Sequence, residues 1–241
     1  MSPGEYERMR TVEDHHWWYQ VLRWLASDAL TKTTPKGQRV LDAGCGTGGM
    51  LDIIHDHVSF GIDLSETAVR ICRQRGPLNV QVANIEQLPF PNHHFDAVLC
   101  LDVLYHNQVD PMTALTEIRR VLKPCGHLIL NLPAFDSLRG AHDIAVSGAR
   151  RYRASGLTHL LHEQGFKVVQ MHYWNAWSFV PLWIWRRWSR TVAVPNPPSD
   201  LTMLPDWLNA ALASMGRMDA RLCRTLRLPF GSSVFALACS G

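Results

Sequence analysis

At 241 residues the chain has room for one substantial α/β core and falls short of two independent ones, so residues 1–241 are read as a single domain with local additions. Hydrophobic residues make up 46% and charged residues 19%, which excludes a disordered chain. The net charge of +3 is too small to argue for a polyanionic partner, and Lys and Arg fall in short patches such as residues 150–153, so no nucleic-acid partner is expected.

The first residues carry acidic side chains and histidines where a signal peptide needs a basic start and an apolar run. The six cysteines, Cys45, Cys72, Cys100, Cys125, Cys223 and Cys239, show no CxxC pair and no metal-ligand spacing. A reducing cytoplasm and no metal are the expectation. Residues 1–34 read as one helix with Trp17, Val21, Trp24 and Leu25 on its apolar side, ended by Thr33, Thr34, Pro35 and Gly37. Over residues 37–131 the apolar runs RVLDAG, VSFGIDL, LNVQVAN, FDAVLCLD and GHLILNL alternate with amphipathic or turn-rich stretches, and MLDIIHD after the first run reads as helix. That alternation predicts a mostly parallel sheet covered by helices on both faces.

Residues 133–153 contain no clear strand and lead into a helix over 154–164, which Gly165 ends before the strand FKVVQMHYW. Residues 175–218 are rich in Trp and Pro, with PNPP at 195–198 separating two helices. The final run SSVFALAC reads as a strand lying antiparallel in the sheet. The longest apolar stretch, 173–184, is interrupted by Arg186 and Arg187 and falls short of a membrane span.

The strongest motif is VLDAGCGTGG, residues 40–49, an apolar strand entering a turn in which Gly44, Gly46 and Gly48 permit tight geometry and close approach of a ligand. A dinucleotide site spaces its glycines GxGxxG to place pyrophosphate at a helix N-terminus, whereas this turn runs GxGxG behind Asp42. A carboxylate there repels pyrophosphate and suits the ammonium of an amino acid, which favours a methionine-containing nucleoside. About 20 residues beyond the turn, Asp63 ends the second strand, where a carboxylate accepts from both ribose hydroxyls.

With LDAGCGTG, Asp63, NIEQLPFPNHHFDAVLCLDVLYH and ALTEIRRVLKPCGHLIL in this order, the chain resembles the class I S-adenosylmethionine-dependent methyltransferases, especially the bacterial small-molecule group, over nearly its whole length. The resemblance implies S-adenosylmethionine as cofactor and a Rossmann-like, doubly wound, seven-stranded α/β sheet with an antiparallel last strand, an N-terminal helical lid and helical inserts. It places Asp63 on ribose, Leu64 on the adenine, Asn84 and Ile85 flanking the adenine and Leu101 on the methionine side. The family commonly has Asp where this chain has Asn84, whose side-chain carbonyl still accepts from the adenine amino group.

The segment EDHHWWYQVLRW, residues 13–24, is similar to HWWY or HWWF segments that precede the nucleotide turn in such enzymes and form a lid. In that reading Trp18 covers the cofactor, Trp17 and Tyr19 border the substrate, and Glu13 and His16 face the reaction space, with aromatic faces suited to a sulfonium. The alternative is packing: Trp17, Val21 and Trp24 against the sheet, and His16 as a hydrogen-bonded structural residue.

At the carboxyl edge of the fourth strand, LDVLYH supplies Tyr105 and His106, which join Glu13 and His16 as candidates to remove a proton. The insert SLRGAHDIAVSGARRYRASGL resembles a substrate-side segment, with His142, Arg150, Arg151 and Tyr152, joined by Tyr173, as candidate substrate contacts. The aromatic and arginine-rich residues 173–190 suit a core-covering helix, a substrate wall, a homodimer contact or peripheral membrane contact. Apolar walls with an anionic anchor suit a small amphiphilic metabolite such as an isoprenoid diphosphate, a lipid or a polyketide of secondary metabolism. An inactive S-adenosylmethionine-binding scaffold and, with less support, an RNA methyltransferase are the rival readings.

Overall fold

The computed structural model describes residues 3–76, 78–140, 143, 148–189 and 204–241. Seven strands form one sheet in the order β3-β2-β1-β4-β5-β7-β6: β1 Arg39–Ala43, β2 Val58–Asp63, β3 Asn79–Val82, β4 Phe95–Leu101, β5 Leu122–Pro133, β6 Phe166–Trp174 and β7 Ser233–Ser240. β1 to β5 pair in parallel, and β7 enters antiparallel between β5 and β6. The central strands are near-continuous apolar runs because helices cover both of their faces, as Ala97, Val98, Leu99 and Cys100 of β4, all fully buried, illustrate.

The helices are α1 Pro3–Val12, α2 Trp17–Thr33, α3 Glu66–Arg73, α4 Pro111–Val121, α5 Ala154–Glu163, α6 Phe179–Ser189 and α7 Asp206–Leu226. α3 starts where Ser65 Oγ accepts from Ala68 N, and α4 where Asp110 Oδ2 accepts from Thr113 N with Pro111 opening the helix. On one face of the sheet α2 and α7 pack together, closely enough that a Cβ on Gly216 would meet Val21 Cγ2 at 2.8 Å. Leu115, Ile118 and Leu157, Leu161 of α4 and α5 join Val98 and Leu128 in the core of the opposite face.

Two local expectations are corrected. Residues 3–33 form two helices where one was expected over 1–34, because His16 caps α2 by accepting from Trp18 N at 3.3 Å and Arg23 ties down the carbonyls of Glu13 and Asp14 at 2.8 and 2.9 Å. MLDIIHD makes only a single 3-10 turn, Leu51–Ile53. The glycine-rich turn occupies the chain to Met50 and β2 begins at Val58, too short an interval for a stable α-helix, so Leu51 and Ile54 are buried from a turn instead. PNPP lies outside the described residues.

The chain runs outward in opposite directions from β1 and β4, with β2 and β3 on one side and β5 on the other. Open α/β sheets bind ligands at the carboxyl ends of their strands where the order reverses in this way.

Candidate functional site

A cavity of about 520 Å³ lies at that reversal. On the β1–β3 side its wall is the glycine-rich turn. Gly44 has φ +97°, and a Cβ there would fall on Val103, so only glycine fits between β1 and the segment after β4. The amides of Gly44 and Cys45 both donate to Ile62 O at 2.8 Å, fixing the turn to the end of β2. Asp63 Oδ2 accepts from Gly46 N at 3.0 Å and Oδ1 from Ser65 N at 2.8 Å. Burial raises the Asp63 carboxyl above its usual range despite these two donors.

Leu64, exposed, and Ile85, buried, line the same rim with Asn84, and Leu101 lines the floor. The Asn84 side-chain carbonyl oxygen closes a local turn by accepting from Glu86 N at 3.0 Å, which leaves its second lone pair to the cavity side. Gly48 belongs to the turn without lining the cavity, its amide donating to Cys45 O at 2.9 Å. Asp42 is 2% exposed, and burial with Asp63 and Glu13 nearby pushes its carboxyl up to about 7.

The N-terminal helices form the second wall. Tyr6 and Met9 of α1 and Trp17, Trp18, Tyr19 and Leu22 of α2 line the cavity. Trp18 stacks on Trp174 and meets Tyr19 edge-on, at centroid distances of 5.8 and 5.2 Å, while Trp17 packs on Trp177 at 5.7 Å. Glu13 does not orient His16. Its carboxylate is buried, accepts from Thr47 Oγ1, and pairs with Arg75 Nη2 at 2.5 Å. His16 is spent on the α2 cap through Nδ1, and burial lowers its pKa.

Beyond β4 the cavity continues between Tyr105, His106, Gln108, Pro133, Asp143, Arg151, Leu182 and Arg186. Tyr105 and His106 stack at 4.2 Å, and burial raises the Tyr105 phenol. Arg151 makes a bidentate pair with Asp143, at 2.9 Å from Nε and 3.0 Å from Nη2, and donates through Nη1 to Ala134 O. Three other predicted contacts are corrected, since Arg150, Tyr152 and Tyr173 do not line the cavity. Arg150 Nη1 holds the carbonyls of His106 and Val109, the Tyr152 hydroxyl donates to Leu104 O, and the Tyr173 hydroxyl accepts from Ala154 N at the start of α5. His142 lies outside the described residues. α6 is not a core-covering helix: it turns Leu182 and Arg186 to the cavity and leaves Trp183, Ile184, Trp185 and Trp188 exposed.

Asp102, the residue after β4, lines the cavity and was not among the candidates from sequence. It has φ +54°, its Oδ2 accepts from Asn131 Nδ2 at 2.9 Å, and burial pushes its carboxyl up to about 7. Its signal was an acid at the end of an apolar run. The partners that hold it are distant in sequence and gave none. Arg75 was likewise missed, whereas Arg186 lies in the arginine-rich segment 173–190, for which a substrate wall was one of the readings. Six carboxylates (Glu5, Glu13, Asp42, Asp63, Asp102 and Asp143) and three arginines (Arg23, Arg151 and Arg186) line the cavity. Among the described residues no helix is long and apolar enough to cross a membrane.

A model of the methyltransferase domain family matches residues 41–130. The O-methyltransferase cnsE of Penicillium expansum is 31% identical over 151 residues, which are 56% of this chain and 54% of the relative. The O-methyltransferase rstn1 of Aspergillus nomiae is 30% identical over 169 residues, 61% of this chain and 74% of the relative. The chain thus spans about half to three quarters of the length of these relatives. Geranyl diphosphate C-methyltransferase from Streptomyces coelicolor A3(2), crystallised with Mg2+, geranyl-S-thiolodiphosphate and S-adenosyl-L-homocysteine, shares the fold at a TM-score of 0.61 and 16% identity, covering 90% of this chain and 76% of that one.

Proposed function

The chain belongs to the S-adenosylmethionine-dependent methyltransferases, and from that premise we propose that it moves a methyl group to an oxygen or carbon of a small amphiphilic metabolite. One observation carries the reading: the glycine-turn wall and the aromatic, polar wall beyond β4 line one cavity. A cofactor and an acceptor are therefore brought together without a partition.

The residues fit the cofactor. Asp42 supplies the buried carboxylate that an amino-acid ammonium relieves, and Asp63, its two oxygens anchored by Gly46 and Ser65, keeps outer lone pairs for the ribose hydroxyls. Leu64 and Ile85 offer apolar faces for the base, with Asn84 at its edge. Bound there, S-adenosylmethionine supplies an electrophilic methyl on a sulfonium. Trp18 and Tyr19 close over this side, exclude water and present aromatic faces to the positive charge. The chain's main work is alignment, and holding two reactants in register supplies about 7 to 11 kcal/mol of the barrier.

On the acceptor side Trp17, Tyr19, Tyr105 and His106 form an aromatic wall, and Arg151 and Arg186 bring guanidinium groups to the same side for an anionic end. This arrangement suits an isoprenoid diphosphate or a similar amphiphile. The exposed Trp183, Ile184, Trp185 and Trp188 beside Arg187 support peripheral contact with an anionic membrane surface, where such acceptors gather.

Incubation with methyl-labelled S-adenosylmethionine and a metabolite extract tests the activity. Label is expected in a small apolar or amphiphilic product. Tight binding of S-adenosylhomocysteine without label transfer would instead support a scaffold, and label in RNA would support the third reading.

A further inference from the structure

Asn131 holds Asp102 twice. Its main-chain carbonyl accepts from Asp102 N at 2.8 Å, and its side-chain Nδ2 donates to Asp102 Oδ2 at 2.9 Å. The orientation of the Asn131 amide is in turn dictated by Trp174, whose Nε1 donates to Asn131 Oδ1 at 2.8 Å. An indole nitrogen is only ever a donor, so the amide must turn its oxygen to Trp174 and its NH2 to Asp102. Asn131 and Trp174 are fully buried, where no water competes for these bonds. Asp102 itself sits in the left-handed region, a backbone state that non-glycine residues keep at a cost of about 1 to 3 kcal/mol when the surroundings enforce it.

The carboxylate so held stands at the carboxyl end of β4, next to the sheet's reversal and on the cavity wall. Its Oδ1 makes no hydrogen bond among the described residues. The charged and titratable groups around it are Tyr19 from α2, Tyr105 from its own loop, Arg151 from the segment before α5, and Cys100 on its own strand. Of the other candidate bases, Glu13 is tied to Arg75 and Thr47, His16 Nδ1 caps α2, and burial raises the Tyr105 phenol.

We propose that Asp102 takes the proton from a hydroxyl acceptor, and that Asn131, fixed by Trp174, is its positioning residue. The inference rests on the methyltransferase reading above. Asp102 Oδ1 receives the hydroxyl proton as the oxygen–carbon bond forms and the carbon–sulfur bond breaks, leaving neutral S-adenosylhomocysteine and a protonated Asp102 that later releases its proton to solvent.

Two measurements test it. Carbon-13 NMR of the protein labelled at aspartate Cγ is expected to show a carboxyl titrating near neutrality that vanishes in Asp102→Asn. In Asn131→Leu the loss of a hydrogen bond to the charged form moves that titration up by about one unit, and Trp174→Phe moves it the same way by less. Titration of Asp102 in the ordinary carboxylate range, or no response to Asn131→Leu and Trp174→Phe, overturns the proposal. Methyl-labelled S-adenosylmethionine is also offered with a panel of phenols and prenyl alcohols. Asp102→Asn is expected to lose about 100-fold or more in turnover, in line with general-base catalysis, while S-adenosylhomocysteine binds within about threefold of the parent. Full turnover by Asp102→Asn overturns the proposal. Absence of transfer to the whole panel by the parent protein overturns a hydroxyl acceptor and with it the proposal, while label at carbon in a product from a metabolite extract would then keep the methyltransferase reading.

Discussion

Arg75 and Glu13 form an ion pair at 2.5 Å with each side chain only 4% exposed. The same guanidinium reaches Asp14 at 2.9 Å, pairs with Asp52, and donates through Nε to Thr47 O at 2.7 Å. One cation just beyond α3 therefore binds the corner between α1 and α2 to the glycine-rich turn. Burial raises the Glu13 carboxyl, although Thr47 and Arg75 both favour its charged form, whereas half-exposed Asp14 is lowered by the same arginine. The two N-terminal helices are thus anchored through the glycine-rich turn itself.

Arg75→Leu is expected to destabilise the protein by about 3 to 5 kcal/mol, because it leaves Glu13 buried and uncompensated. Chemical denaturation measures this. Since Thr47 O loses its partner in the same change, S-adenosylhomocysteine affinity is expected to fall at least tenfold, about 1.4 kcal/mol. A variant with parent stability and affinity would show that the latch contributes nothing.

As the proposed partner of the cofactor's ammonium, Asp42 is expected to make binding depend on pH. Its carboxyl sits at about 7 in the free protein, facing Asp63 from β2 and Glu13 from the α1–α2 corner. An ammonium favours the ionised form and lowers that pKa. Below pH 7 each binding event must expel a proton, so affinity rises with pH up to about 7 and levels off above it. Calorimetry of S-adenosylhomocysteine binding at pH 6.5, in buffers of different ionisation enthalpy, is expected to reveal net proton release. Asp42→Asn should abolish most of that release and weaken binding. Equal proton release by the variant would assign the effect to another group.

The parts of this molecule legible from sequence are those whose cause is local. The β1 run, the glycines and Asp63 lie within one strand-turn-strand unit, and the apolar run of β7 announced a strand that pairs antiparallel with β5 and β6. What escaped was direction and partnership. Arg150, Tyr152 and Tyr173 have the chemistry of ligand contacts, but each lies where a loop or helix start leaves backbone groups in need of partners, and they meet that need. Asp102 escaped because Asn131 and Trp174, 29 and 72 positions on, meet it only when β4, β5 and β6 are assembled. Glu13 was expected to face the reaction space beside His16, but α1 ends before it and an arginine from beyond α3 takes its carboxylate.

Because Tyr152 and Tyr173 bond to backbone and do not line the cavity, Tyr152→Phe and Tyr173→Phe are each expected to cost about 1 kcal/mol of stability. S-adenosylhomocysteine affinity and methyl transfer should remain within twofold of the parent. A tenfold change in the acceptor KM for either variant would return that tyrosine to the substrate site.

His16 separates two roles that sequence left together. Its Nδ1 accepts from Trp18 N at the start of α2, and its ring stacks on Trp17 at 5.8 Å. If capping is its main duty, serine, which caps through an oxygen, can stand in for it, and alanine cannot. His16→Ala is then expected to lose about 1 kcal/mol of stability and to loosen the Trp17 to Tyr19 wall, with His16→Ser recovering most of the stability. Methyl transfer by His16→Ser should stay within a few-fold of the parent and keep its pH profile, since a lowered pKa already leaves the ring neutral at pH 7. Loss of turnover by two orders of magnitude in the stable His16→Ser variant, with S-adenosylhomocysteine still bound, would make the imidazole a participant in proton transfer and displace Asp102 from that role.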